Sequence, residues 1–101
     1  MIADGRSRDN EVMERIGQNI WEVRRRAGFS QELLAQRAGL HRTEISLLER
    51  GGRVPRIDTL LKIAGSLECP IQALVAGVQW VAYARSEPGS FAIHNDTLRA
   101  G

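Results

Sequence analysis

From residue 13 onward the apolar positions fall into a regular rhythm. Met13, Ile16, Ile20, Val23 and Ala27 recur three or four residues apart, which is one face of an amphipathic helix. Three consecutive arginines, Arg24 to Arg26, suit the negative end of that helix, and Gly28 just beyond them is a stop. A second helix is predicted to start after Ser30, a good N-cap, with Leu33 and Leu34 inward, and to finish near Ala38 and Gly39. A third opens at His41 or Arg42 and runs to Arg50 with Ile45 and Leu48 inward; the pair Gly51 and Gly52 ends it. After a linker over 52–56, a fourth helix has Asp58 in its first turn. Ile57, Leu60, Leu61, Ile63, Ala64 and Leu67 give it a broad apolar face. Pro70 fits the first position of a fifth, short helix with Ile71, Ala73, Leu74 and Val75, closed by Gly77.

The rhythm changes after residue 77. Residues 78–85 are rich in β-branched and aromatic side chains and carry no helix stop signals. The run from Ser86 to Gly89 is a turn signal, because Pro88 and Gly89 fit the two central positions of a type II turn. Ser90 to His94 is the returning strand, so 79–94 is predicted to be a β-hairpin. Trp80, Tyr83 and Phe91 all fall here, which is more aromatic character than a solvated tail carries. The expected organisation is a flexible arm over 1–12, a five-helix unit over 13–77 and a hairpin with a frayed tail over 78–101.

Composition narrows this picture. A chain of 101 residues with 43% hydrophobic and 5% aromatic content supports one modest domain with arms. A ligand-sensing second domain would need more chain. No run is long and apolar enough to span a membrane, and the polar first ten residues have no apolar leader core, so a cytoplasmic location is expected. The single Cys69 allows neither an intrachain disulfide nor a cysteine zinc site and reads as a buried or loop thiol. No metal and no cofactor are expected. The formal net charge of +2 is bland, but its distribution is not. Residues 24–56 carry eight arginines against three glutamates, a +5 cluster that fits a polyanion.

The twenty positions from Gln31 to Arg50 carry a specific constellation. The fifth is Ala35, small enough for two helices to cross closely; the ninth is Gly39, where a sharp turn favours a residue without Cβ. Leu34, Ala38, Leu40, Ile45 and Leu48 are apolar and point inward. This is the helix-turn-helix arrangement, in which the second helix enters the DNA major groove. A helical hairpin with no nucleic-acid role is the bland alternative, and the basic cluster around the same segment weighs against it.

The run Ser-Gln-Glu-Leu-Leu-Ala-Gln-Arg-Ala-Gly-Leu at 30–40 resembles the Xre, or phage-repressor-type, helix-turn-helix family. So do Ile-Ser-Leu-Leu-Glu-Arg-Gly at 45–51 and Pro-Arg-Ile-Asp-Thr-Leu-Leu-Lys-Ile-Ala at 55–64. The resemblance covers about 13–77. It implies an all-α, five-helix lambda-repressor-like domain, here with a C-terminal β-hairpin arm, acting as a dimeric DNA-binding transcriptional regulator, a repressor in the leading reading. It also implies that Gln31 bonds a phosphate and props the recognition helix, and that Arg24 pairs with Glu49 to fix that helix. His41, Arg42 and Thr43 lie at the start of the recognition helix, nearest the base edges. Arg42 can fork onto guanine, and Thr43 can meet a thymine methyl. Ser46, one turn on, is a second-tier base or phosphate contact. Leu47 stands where the family often carries a polar base reader. His41 is a cap or phosphate contact, and Arg53 and Arg56 are candidate phosphate clamps. Arg25, Arg26 and Arg37 are weaker phosphate candidates, and Glu44 either accepts from cytosine or repels phosphate.

A single module makes a small DNA interface, roughly 600–1,000 Å². Two copies on a two-fold site, with recognition helices about 34 Å apart, are therefore expected. The hairpin residues Trp80, Tyr83, Phe91 and Ile93 are the candidate homodimer interface. The alternative is that the aromatics pack back onto the fourth and fifth helices of their own chain. A second functional reading is the antitoxin of a toxin–antitoxin pair, with the C-terminal segment binding a toxin. A small enzyme is disfavoured, since no phosphate loop, His–carboxylate cluster or nucleophile context is present.

Overall fold

Five helices and a two-stranded antiparallel hairpin follow one another in the computed structural model, which describes residues 5–82 and 88–94. The helices are α1 (Gly5–Arg26), α2 (Gln31–Ala38), α3 (Arg42–Glu49), α4 (Ile57–Leu67) and α5 (Ile71–Leu74). The strands are β1 (Val78–Val81) and β2 (Ser90–Ile93). Each helix contributes one fully buried aliphatic side chain to a common centre: Ile20, Leu34, Ile45, Ile63 and Leu74, all at 0% exposure. Burial of such a side chain stabilises by about 1.5–3 kcal/mol. Ile16, Ala35, Leu48, Leu60, Ala64 and Leu67 complete the same cluster.

The caps follow from local chemistry. The Ser30 hydroxyl accepts from the Leu33 N–H at 3.0 Å and so satisfies one of the orphan donors of α2. Gly39 closes α2 in the left-handed conformation (φ 71°), the one place in this motif where a side chain would be strained. The Leu40 N–H then returns to the Ala35 carbonyl at 2.8 Å, which tightens the turn into α3.

Three expectations are corrected. Residues 5–12, expected as part of an arm, lie in α1, which begins two turns before Met13. Extension of an existing helix adds one hydrogen bond per residue without a new nucleus, and β2 runs alongside this helix. Ala27, expected inward, is exposed past the end of α1. The apolar face of α4 is only partly used: Leu60, Ile63, Ala64 and Leu67 are buried, but Ile57 and Leu61 are 66% and 55% exposed. The apolar arc of this helix is wider than the surface α2 and α5 cover. Val54, in the linker before α4, is exposed as well, at 69%.

The hairpin pairs Val78 with Ile93 and Trp80 with Phe91, so these four side chains share one face. Val78 packs on the helical core, and Trp80 meets Phe91 edge to face at 5.1 Å between ring centroids. The hairpin is seated on α1, not on the fourth and fifth helices. Arg15 donates from Nε to the Ala76 carbonyl (3.3 Å) and from Nη2 to the His94 carbonyl (2.9 Å). One turn on, the buried Asn19 amide donates to the Leu74 and Ala76 carbonyls at 3.0 and 2.9 Å. Tyr83 and the first half of the turn expected at 86–89 lie outside the described residues. Among the described residues no helix is long and apolar enough to cross a membrane.

Candidate nucleic-acid interface

The candidate site is the exposed side of α3 with the segments that lead into and out of it. His41 is the N-cap residue of α3 in extended conformation (φ −86°, ψ 147°), which turns the chain into the helix at this point. The Glu44 carboxylate reaches back toward the His41 N–H at 3.5 Å, and a negative charge in this first turn suits the positive end of the helix. Arg42 and Thr43 are exposed beside it, while Ile45 and Leu48 anchor the opposite face in the core. This division of faces is what an α-helix needs if it is to read a groove while held by its own domain.

Behind α3 lies a buried polar network. Arg24 Nε donates to Glu49 Oε2 at 2.5 Å and Arg24 Nη2 to Glu49 Oε1 at 3.0 Å, a two-pronged pair that is almost wholly buried. The third prong, Arg24 Nη1, donates to the Phe29 carbonyl at 2.7 Å. Gln31 Nε2 donates to Glu49 Oε1 at 2.9 Å. A primary amide carries two N–H groups, so one remains for an acceptor outside. The network joins the end of α1, the α1–α2 turn, the first residue of α2 and the last residue of α3.

The flanking cations are preset but lightly held. Arg53 Nη1 lies 3.7 Å from Glu44 Oε2, which places this linker arginine beside the first turn of α3. Arg56 Nε donates to Asp58 Oδ1 at 3.1 Å. That hydrogen bond, joined by the Arg56 and Lys62 charges and the Thr59 N–H, holds the Asp58 carboxyl below its ordinary value against an opposing desolvation. Both arginines are well exposed, and such surface pairs are worth only about 0–1 kcal/mol, so either cation is available to a phosphate. Arg25 stacks on Trp21 at 5.1 Å and Arg37 on Phe29 at 5.4 Å, which removes them from the purely solvated class.

The structure thus brings Arg24, Gln31 and Glu49 into one network, and Glu44, His41 and Arg53 into another. Ser46 is half-buried, and its carbonyl accepts from Arg50 Nε at 3.3 Å. Leu47 is also half-buried, with its side chain turned toward Gly52. Ile93 sits across from Val78 in the hairpin, remote in sequence and element from α3. Cys69 follows α4, and burial pushes its thiol up from the ordinary value, which leaves it mostly protonated at neutral pH. Among the described residues no cluster of His, Cys, Asp or Glu fits a metal ion.

Pattern reading missed Gly17. It lies buried in the middle of α1, and a Cβ there would meet the Leu48 and Glu49 carbonyl oxygens of α3 at 2.3 and 2.8 Å. An isolated glycine inside a helical pattern is the signal that marks such a close approach. Arg15 and Asn19 were also missed, since polar residues between apolar ones read as solvent-facing.

Comparison with known proteins agrees with this geometry. The chain is 35% identical over 57 residues to an uncharacterized HTH-type transcriptional regulator, y4dJ, of Sinorhizobium fredii, covering 56% of this chain and 74% of that protein. It is 34% identical over 65 residues to the control protein C.SmaI of Serratia marcescens, covering 64% and 77%. Among solved structures, the restriction-modification controller protein C.AhdI from Aeromonas hydrophila superposes with a TM-score of 0.60 at 35% identity, over 61% of this chain and 94% of that one. The biofilm regulator SinR, solved in complex with DNA, superposes with a TM-score of 0.56 at 33% identity, over 58% and 95%. A helix-turn-helix family model, HTH_3, matches residues 22–74, the stretch that holds the buried network and α3, and the chain belongs to that family.

Proposed function

We propose that this chain is a sequence-specific DNA-binding transcriptional regulator that works as a repressor on a two-fold operator. The observation that carries the reading is α3 itself: one face locked in the core and braced by the buried Arg24–Glu49 pair, the other presenting Arg42 and Thr43 to solvent. Arg42 and Thr43 read base edges, with Ser46 and Leu47 as secondary contacts. Gln31, His41, Arg53 and Arg56 contact phosphates and set register. The DNA-bound SinR relative and the two controller proteins favour the same reading.

The test is titration of duplexes selected from random sequence, at several salt concentrations. Steeply salt-dependent, sequence-selective binding is expected. Arg42→Ala should relax preference at one base position by roughly 1–3 kcal/mol, and Arg56→Ala should weaken all sequences alike and flatten the salt slope. Binding indifferent to both changes rejects the docking.

For the dimer, the proposed interface is the hairpin face with Trp80, Phe91 and Ile93, together with Tyr83. Trp80 is 55% exposed yet fixed against Phe91, the kind of rigid aromatic that anchors interfaces. Val54, Ile57 and Leu61 are also exposed and apolar. Sedimentation of a chain ending at Gly77 tests the hairpin: loss of the dimer assigns it there, and persistence shows that the hairpin is not the interface.

A further inference from the structure

The recognition helix is held to α1 at three points along one side. Gly51, just past α3, packs on Glu14, where an added Cβ would stand 2.9 Å from the Glu14 Cγ and 3.0 Å from its Cα. Arg24 grips Glu49 through the two-pronged ion pair. Between them Gly17 abuts the last turn of α3. Only there are all the close neighbours backbone: the Leu48 and Glu49 carbonyl oxygens and the Glu49 carbonyl carbon. Ion-pair side chains can rotate to absorb a change, and at Gly51 the nearest atom is the Glu14 Cγ, which can turn away. The Leu48 and Glu49 carbonyls are main chain of the last turn of α3, and the Leu48 oxygen accepts from the Gly51 N–H at 3.1 Å, so both move only with the end of the helix.

We infer that Gly17 is a specificity-determining positioning residue: it sets how deeply α3 is presented to the groove, without touching DNA. A methyl group at this position would stand 2.3 Å from the Leu48 carbonyl oxygen, about 1 Å short of ordinary contact. The C-terminal end of α3 would be displaced by that amount. Since α3 has eight residues and a length of about 12 Å, a push at one end re-aims Arg42 and Thr43 at the other. Hydrogen bonds to base edges tolerate only about half an ångström around 2.9 Å. Phosphate contacts from Arg53 and Arg56, exposed on long flexible stems in the linker, follow the backbone and survive. The displacement therefore removes sequence selectivity first and leaves general affinity for DNA. Gly65 in α4 supplies the internal contrast. It is also a helical glycine, but a Cβ there meets nothing within 4 Å. Alanine is the stronger helix former, so Gly65→Ala raises stability without moving α3.

The inference rests on α3 being the DNA-reading helix, and the experiment keeps the two apart. Affinity for a selected operator and for a scrambled duplex is measured for the wild-type chain, Gly65→Ala and the double variant Gly17→Ala/Gly65→Ala. The Gly65→Ala background offsets lost stability. Wild type and Gly65→Ala should show the same operator preference. The double variant should keep scrambled-duplex affinity within about twofold and lose operator affinity by about tenfold or more, the size of a mismatched base contact. The loss should fall at the base positions that Arg42→Ala relaxes. A wild-type chain with no operator preference overturns the DNA reading itself. A double variant that keeps the wild-type preference overturns the role of Gly17 alone. A double variant unfolded by circular dichroism also overturns it, because the contact then supports the fold and not the aim of α3.

Discussion

Glu49 accepts three hydrogen bonds at once, two from Arg24 and one from Gln31, while almost no part of the ion pair reaches solvent. Removal of the carboxylate leaves the Arg24 guanidinium buried with only the Phe29 carbonyl as partner. A severed buried pair of this kind costs about 3–5 kcal/mol. Glu49→Ala is therefore expected to lower the midpoint of thermal unfolding by more than about 10 °C. Gln31→Ala, which leaves the Arg24–Glu49 pair whole, should shift it far less. Calorimetry of the two variants decides this, and equal shifts would mean that leaving the Arg24 charge buried without its carboxylate carries no special cost. Gly39 was legible because its place within the twenty-residue motif is fixed, and the Arg24–Glu49 pair was legible only through the resemblance to the Xre family. Gly17 was not, because its partners are main-chain atoms of a distant helix and leave no side-chain pattern to read.

At the level of elements, the order of five helices and a hairpin could be read from periodicity and stop signals, but the seat of the hairpin could not. Periodicity assigns Arg15 and Asn19 to solvent, yet they fasten the chain after α5 and the end of β2 to α1. Ile57 and Leu61 fail in the opposite sense: apolar character predicts burial, and among the described residues no element covers them. The Asn19 amide is 1% exposed, and its Oδ1 has no partner among the described residues. Its N–H groups nevertheless serve the Leu74 carbonyl and, together with Arg15, the Ala76 carbonyl. Asn19→Ala should destabilise the chain by about 2 kcal/mol or more, with the amides of 76–81 losing most protection in hydrogen exchange. Uniform loss across all elements would show that the hairpin is not separately anchored at Asn19.

For the whole molecule, the +2 of the full chain conceals a division of labour. Among the basic residues around α3, Arg24 is spent on internal structure, Arg25 and Arg37 lie on aromatic rings, and Arg53 and Arg56 wait in weak pairs beside α3 and α4. Five arginines of the cluster that suggested a polyanion from sequence thus divide into one buried brace, two cations stacked on rings and two exposed cations in weak pairs. One feature of the architecture also bears on synthesis. The bond from Arg15 to the His94 carbonyl spans 79 residues, whereas Arg24 and Glu49 are only 25 apart. As the chain emerges from the ribosome, α1 can lock to α3 long before β2 exists, and closing so long a loop is entropically the later step. The DNA-reading half is then assembled while the Arg15 side of α1 still waits for its last strand. Pulse-labelled hydrogen exchange during refolding should show α1–α3 protected before β2; simultaneous protection would mean that hairpin and helices form one cooperative unit.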